Sequence, residues 1–103
     1  MGNGFGEDQK AHEIWDAAKD AYVAARGEYE IFDLACRAAE AKRLIELVNG
    51  GTKRWEAEAM IAIERADTQT DLGRVVSARR ASRDRMTNLE HERDAARNRA
   101  WKR

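Results

Sequence analysis

The stretch that divides the chain is Asn49-Gly50-Gly51-Thr52, close to the midpoint of the 103 residues. Asn and Gly adopt the left-handed backbone conformation that ends a helix, and Thr52 is a suitable N-cap for the next one. The sequence contains no proline and is rich in Ala and Arg, which are strong helix formers. We therefore predict a turn at 49–52 between two helices, with a flexible Gly-rich leader before them: leader 1–7, helix 8–48 and helix 53–102.

Before the turn, apolar side chains recur at alternating spacings of three and four residues, which is typical of a helix that packs along one seam. The first stripe comprises Trp15, Ala18, Tyr22, Ala25, Tyr29, Phe32, Cys36 and Ala39. Further along, the apolar positions shift to Leu34, Ala38, Ala41, Ile45 and Val48. A straight helix drifts in this way against a seven-residue repeat, so we expect the seam to continue through this second set.

After the turn the same spacing continues with a smaller and more polar set of residues. Its first part comprises Trp55, Ala59, Ala62 or Ile63, and Ala66. Its second part comprises Leu72, Val75, Arg79, Ser82, Met86, Leu89, Arg93, Ala96 and Ala100. Between the two parts, residues 67–73 are compatible with a kink, with plain helix, or with a short break in which Thr70 or Asp71 caps a new helix.

The charges of the two halves are complementary. Residues 7–33 carry eight acidic and three basic side chains, whereas residues 74–103 carry ten basic and four acidic ones. A short connection makes neighbouring helices antiparallel, and closure near Gly50 gives facing residues numbers that sum to roughly 101. Tyr22 then faces Arg79, and Ile45 faces Trp55.

These patterns predict an all-α protein, an antiparallel two-helix hairpin with coiled-coil packing, and they leave open whether the second helix is broken near 67–73. The first helix offers more large apolar side chains than the late part of the second helix can cover. An exposed apolar patch of that kind marks an interface. We therefore expect the hairpin to form a homodimer, as a four-helix bundle.

Residues that carry out chemistry are sparse. Helix-bundle metal sites use Glu-x-x-His on facing helices, but Gln9 stands three residues before His12 and Asn88 three before His91. Cys36 lies on the apolar stripe, where a small buried side chain is expected. We predict no enzymatic activity, no metal site and no cofactor.

Two charged sets are candidates for binding. Arginine rows track phosphates and aromatic rings stack on bases, so a nucleic-acid contact is predicted for Arg79, Arg80, Arg83, Arg97, Arg99 and Trp101. An acidic face for a protein partner is predicted for Asp16, Asp20, Glu28, Glu30 and Asp33. The alternative for both sets is mutual pairing inside the hairpin, where each exposed ion pair contributes about 0–1 kcal/mol.

The chain resembles small uncharacterised helical-hairpin proteins of bacteriophages. The resemblance covers residues 29–103 and rests on the Ala- and Arg-rich helix, the Gly-Gly-Thr turn, and the segments WEAEA at 55–59 and ERAD at 64–67. Helical hairpins of the WXG100 family have a central Trp-x-Gly turn. Here Trp55 follows Asn49-Gly50-Gly51, so the order of that motif does not fit.

Genes of such phage proteins often lie among replication and recombination genes. The resemblance therefore implies a non-enzymatic accessory protein that acts through protein–protein contacts, and through DNA contacts, in DNA replication or recombination. The alternatives are a phage inhibitor of a host defence or nucleic-acid-handling complex, similar to an anti-CRISPR protein, and a structural or scaffolding protein. The apolar run Ala59–Ile63, which no other run exceeds in length, is far shorter than the ~18 residues that span a membrane. We expect a protein of the host cytoplasm that does not bind membranes.

Overall fold

Three helices make up the part of the chain that the structure describes. The structure, a computed structural model, describes residues 2–101, with side chains described for residues 8–101. The helices are α1 (Gly2–Asn49), α2 (Arg54–Ala66) and α3 (Asp71–Trp101), and no strand occurs in this range. The all-α class is confirmed. The predicted second helix at 53–102 is in fact two helices, and residue 102 lies outside the described range.

The chain divides into two compact units, each described separately below. The terminal unit contains the residues up to Glu28 and those from Arg83 onward. The central unit is Tyr29–Ser82. This division is finer than the single hairpin domain expected from the sequence.

The start of α1 differs from the prediction. The helix begins at Gly2, within the segment expected to be a flexible leader, and not at residue 8. Each Gly lowers helix propensity by about 1 kcal/mol relative to Ala. Extension of an existing helix, however, requires no new nucleation, and this segment has no proline to stop it.

The turn after α1 forms as predicted, with one correction. The amide of Gly51 donates to the carbonyl of Val48 (3.1 Å), and the amide of Thr52 donates to that of Leu47 (3.0 Å). Gly51 has a φ of 97°, so these bonds form the helix-ending motif that requires a left-handed residue. The N-cap of α2 is Lys53, without a side-chain hydrogen bond, and not Thr52, because the carbonyl of Lys53 accepts the first helical hydrogen bond, from the amide of Ala57 (2.9 Å).

The break between α2 and α3 is real, and Thr70 is its cap. The hydroxyl of Thr70 accepts a hydrogen bond from the amide of Gly73 (3.0 Å), and lies 2.9 Å from the carbonyl oxygen of Glu64 and 2.8 Å from that of Asp67. The carboxylate of Asp67 accepts from the amide of Gln69 (2.9 Å). The polar residues of the segment thus satisfy the backbone groups that a break leaves without helical partners.

The central unit has a small core formed by all three helices. Its buried cluster contains two residues from each helix, with Ala39, Leu44 and Val75 packed against it: Cys36, Leu47, Ala57, Ile61, Leu72 and Val76. From the first predicted stripe, Tyr29, Phe32, Cys36 and Ala39 are buried or half-buried here.

The seam of α1 does not shift, contrary to the prediction. It continues on the inner face from Ala39 through Arg43 to Leu47, at intervals of four residues, and Leu47 is buried. The guanidinium of Arg43 makes a bidentate ion pair with the carboxylate of Glu64 on α2, with Nη2–Oε1 at 2.8 Å and Nε–Oε2 at 3.0 Å. This hydrogen bonding raises the pKa of Arg43. An arginine can hold a seam position here because Glu64 satisfies its charge.

Within each unit α1 and α3 run antiparallel, but in a different register from the predicted one. In the central unit Cys36 contacts Val75 and Asp33 pairs with Arg79. Arg79 therefore lies opposite Asp33 rather than Tyr22. The register moves because α2 folds back beside the last turns of α1, where Glu64 and Arg65 bind Arg43 and Glu40. Arg79 therefore meets α1 at a residue 11 positions later than predicted. These contacts fit a helical hairpin.

The terminal unit packs small residues and aromatic rings. Ala25, Ala96 and Ala100 are buried, as the two predicted stripes require. The guanidinium carbon of Arg93 lies 4.3 Å from the ring centroid of Tyr22, and Trp101 contacts the ring of Trp15. Arginine and aromatic side chains here supply the packing that large aliphatic residues supply elsewhere.

Gly73 is required by the corner between α2 and α3. A Cβ atom at this position would overlap the backbone carbonyl of Asp67 and lie 2.8 Å from the carbonyl oxygen of Glu64. We predict that Gly73→Ala lowers the free energy of unfolding by roughly 3 kcal/mol, because backbone atoms must move to admit the methyl group. Urea denaturation followed by circular dichroism measures the change.

Gly27→Ala is the matched control, because Gly27 is also helical and a Cβ there meets nothing within 4 Å. It should raise the free energy of unfolding by about 1 kcal/mol through helix propensity alone. Equal effects of the two substitutions would contradict the close corner.

Candidate interaction surfaces

An unbroken apolar stripe lies on the face of α1 that points away from the core of the central unit. Its large members, Ile31, Leu34, Ile45 and Val48, keep between 44% and 69% of their surface exposed. Ala38 and Ala41 are exposed between them. We call these six residues the outer stripe: Ile31, Leu34, Ala38, Ala41, Ile45 and Val48. The sequence identified five of them but placed them in the core seam, which is instead completed by Arg43 and Leu47.

α2 also turns its predicted stripe outward. Trp55 and Ile63 are 67% and 71% exposed, and Ala59, Ala62 and Ala66 are exposed as well. The face of α2 that packs against the core carries Ala57, Ile61 and Glu64. Ile45 and Trp55, predicted to face each other in the hairpin, are therefore both on the surface.

A groove between α1 and α2 adjoins the outer stripe. Ala41 of the stripe lines it, together with Leu44 and Ile61, and its volume is about 450 Å³. An ion pair between Arg65 and Glu40, with Nε and Oε1 2.6 Å apart, links the two helices at this groove. The groove therefore adds the apolar side chains of Leu44 and Ile61, and a charged pair beside them, to the surface next to the outer stripe.

Two arginines of α3 pair with acidic residues of α1: Arg79, which belongs to the predicted nucleic-acid set, and Arg85, which does not. In the central unit Arg79 donates to Asp33 at 3.2 Å, and both side chains are half-buried. In the terminal unit Arg85 donates to Glu28 at 3.5 Å, and both side chains are exposed. Arg79 is thus engaged in packing α3 on α1.

Other predicted arginines remain on the surface. Arg80 in the central unit and Arg83 and Arg97 in the terminal unit are exposed, and none forms an ion pair with another described residue. Arg99 is exposed and its Nε lies 3.4 Å from the carbonyl oxygen of Ala95.

Trp101 packs within the terminal unit while keeping most of its surface in solvent. Its ring lies edge-on to those of His12 and Trp15, with centroid separations of 5.4 and 5.9 Å. The ammonium of Lys19 lies 4.1 Å from the Trp15 ring centroid. Trp101 is 65% exposed, so the contact with α1 covers only part of the ring.

The predicted acidic partner-binding face is mostly engaged within the chain. Asp16 pairs with Lys19 at 3.0 Å, Glu28 pairs with Arg85, and Asp33 pairs with Arg79 and Arg37. Glu30 is not free either. Asp20 is exposed and forms no ion pair with a described residue.

Groups that could bind a metal are not brought together. No group of three or more His, Cys, Asp or Glu side chains with suitable placement occurs among the described residues. None of the helices in the described range is both long enough and apolar enough to cross a lipid bilayer.

Comparisons with known proteins add no assignment: no protein family, curated protein or solved structure matches this chain. The resemblance to bacteriophage hairpin proteins and the roles inferred from it stay predictions. The surfaces described above are therefore the basis for a functional proposal.

Cys36 is enclosed at the centre of the central unit. Its thiol is fully buried and lies 3.3 Å from the carbonyl oxygen of Val75, to which it donates. Burial raises the pKa of the thiol, against the opposing charge of Arg79.

We predict that maleimide labelling of the folded chain is at least about 100-fold slower than labelling in denaturing urea. Labelling rates within about tenfold of each other would contradict a closed core.

Proposed function

We propose that this chain is a non-enzymatic helical interaction protein whose central unit pairs with a second copy through the outer stripe. The observation that carries the proposal is the exposure of six apolar positions in heptad spacing on one helix face. Heptad seams of this length are buried in stable helical assemblies, because each a and d side chain fills a hole on the facing helix. An exposed contiguous apolar face on an otherwise charged chain indicates a partner.

A dimer of this kind refines the predicted four-helix bundle. The core seam of α1 is occupied by α2 and α3 of the same chain, and the outer stripe lies on the opposite face. In the central unit, paired α1 helices would then lie in the middle, with each chain's own α2 and α3 outside them. The helices of the dimer would thus form layers, and not the square cross-section of a four-helix bundle.

The proposed dimer is compatible with two of the three cellular roles inferred from the sequence. An accessory protein of DNA replication or recombination and an inhibitor of a host complex both need a rigid helical surface. A scaffolding protein requires assembly beyond the dimer. The mass of the assembly in solution therefore separates the scaffolding role from the other two.

Substitution within the outer stripe tests the pairing. We predict that Ala38→Glu raises the dissociation constant of the dimer at least about 100-fold, because a long charged side chain would replace a methyl group at the point of closest contact and would have to leave water. Light scattering and sedimentation over a concentration series measure the change. Helix content should stay the same, since Ala and Glu have similar helix propensity and Ala38 is exposed in the single chain.

Ala81→Glu is the matched control, because Ala81 is an exposed helical alanine of α3 in the same unit. It should leave the dissociation constant within about threefold of the original. A chain that is monomeric before any substitution, or equal weakening by both variants, would contradict pairing through the outer stripe.

A second candidate function is contact with nucleic acid. It is favoured by the exposed Arg83 and Arg97 of the terminal unit, which form no ion pair with a described residue. An unpaired arginine can neutralise a phosphate and release a counterion, which makes binding weaken as salt rises.

Removal of both arginines tests this contact. If each binds a phosphate, the double variant Arg83→Ala/Arg97→Ala should reduce the slope of log affinity against log salt by about 1.8 with double-stranded DNA and by about 1.4 with single-stranded DNA. Fluorescence anisotropy with labelled single- and double-stranded DNA measures the slope. The control is Arg54→Ala/Arg74→Ala, which removes the same charge from arginines already paired with Glu58 and Asp71. Equal slopes for the two double variants, or no binding by the original chain at low salt, would exclude this candidate.

A further inference from the structure

The outer stripe has a symmetric order of side-chain sizes. Two large residues, Ile31 and Leu34, are followed by Ala38 and Ala41, and then by two large residues, Ile45 and Val48. Two helices that cross touch most closely at one point and separate on either side of it. Small residues at the centre and large ones toward both ends are what such a crossing needs.

We infer that two copies pair with their α1 helices antiparallel, so that Ala38 of one chain faces Ala41 of the other; this rests on the dimer proposed above. The stripe occupies heptad positions a (Ile31, Ala38, Ile45) and d (Leu34, Ala41, Val48). The antiparallel arrangement matches each a position with a d position of the second copy. The end layers then join Ile31 with Val48, and the layers next to them join Leu34 with Ile45.

The charges beside the stripe disfavour a parallel pair. Arg37 and Lys42 lie on its two flanks, at heptad positions g and e, and both side chains are exposed. In a parallel pair each g residue meets the next e residue of the other helix, so Arg37 would meet Lys42 twice. Like charges placed together at a contact disfavour that arrangement.

In the antiparallel arrangement the flanking residues meet no like charge. Position g of one helix meets position g of the other, which brings Arg37 beside Leu44. Position e meets position e, which brings Lys42 beside Ala35. Arg37 can keep its ion pair with Asp33, whose Oδ2 lies 3.1 Å from Nη2 of Arg37.

Engineered cysteines at the ends of the stripe test the direction. Ile31 and Val48 are 17 residues apart on α1, or roughly 25 Å at the helical rise. An antiparallel pair brings Ile31 of one chain to Val48 of the other, whereas a parallel pair brings each position to itself. Differently tagged Ile31→Cys and Val48→Cys chains are mixed, oxidised mildly and separated by mass. Cys36 stays in every chain, since it is fully buried.

The expected result is a disulfide between the two different chains in the mixture, and at least about tenfold less crosslinking when either chain is alone. Ala81→Cys is the control for random collision, because it is exposed on α3 away from the stripe. The mass of each variant is measured first by light scattering, so that loss of the dimer by substitution is seen directly.

The possible failures are distinguishable. A dimer in which Ile31→Cys crosslinks to itself overturns the antiparallel direction but keeps the proposed dimer. A dimer that gives no crosslink above the Ala81→Cys control shows that its contact lies elsewhere, and overturns the inference. A chain that is monomeric at all concentrations overturns the proposed dimer and, with it, this inference.

Discussion

The ion pair between Arg43 and Glu64 is the interaction on which the central unit depends. The carboxylate of Glu64 binds the guanidinium of Arg43. The backbone carbonyl of Glu64 accepts hydrogen bonds from the amide of Asp67 and from the hydroxyl of Thr70. One residue of α2 is therefore connected to α1 and to the cap of α3. Because Arg43 stands on the seam of α1, the same pair also fixes which face of α1 is turned inward. The small core of Cys36, Leu47 and their neighbours then closes around that face.

The two faces of α1 show which features of the fold can be predicted from the sequence and which cannot. The positions of the helix-ending glycines, the first apolar stripe and the stripe of α3 follow from spacing alone, and the structure confirms them. The late part of α1 was assigned to the wrong face. Ile45 and Val48 are more apolar than Ala39 and Arg43, so periodicity favoured the outer stripe as the seam. The deciding partner, Glu64, lies on another helix, and no local pattern relates it to Arg43.

The charged residues show a similar limit. The opposite net charges of residues 7–33 and 74–103 correctly indicated that acidic side chains of α1 pair with arginines of α3. The individual pairs, Asp33 with Arg79 and Glu28 with Arg85, depend on a register that the sequence could not supply. That register follows from α2, whose 13 residues turn back against the end of α1. An α-helical hairpin can shift by whole turns with little change in its pattern of charges, so the polar pairs adapt to the register and do not define it.

The two faces of α1 in the central unit therefore have different requirements. The inner face combines apolar side chains such as Phe32 and Leu47 with a cation, Arg43, and α2 brings Glu64 to that cation. The outer face contains no charge along six heptad positions, and nothing else in the described chain covers it. In the proposed dimer, a second copy would supply a matching seam with the same spacing and the same pair of alanines at its centre. Its flanking cations favour the direction in which Arg37 and Lys42 stay apart. Under this proposal, folding and assembly use opposite sides of α1. The side that carries Arg43 packs against α2 and α3 of the same chain, and the uncharged outer stripe packs against the second copy.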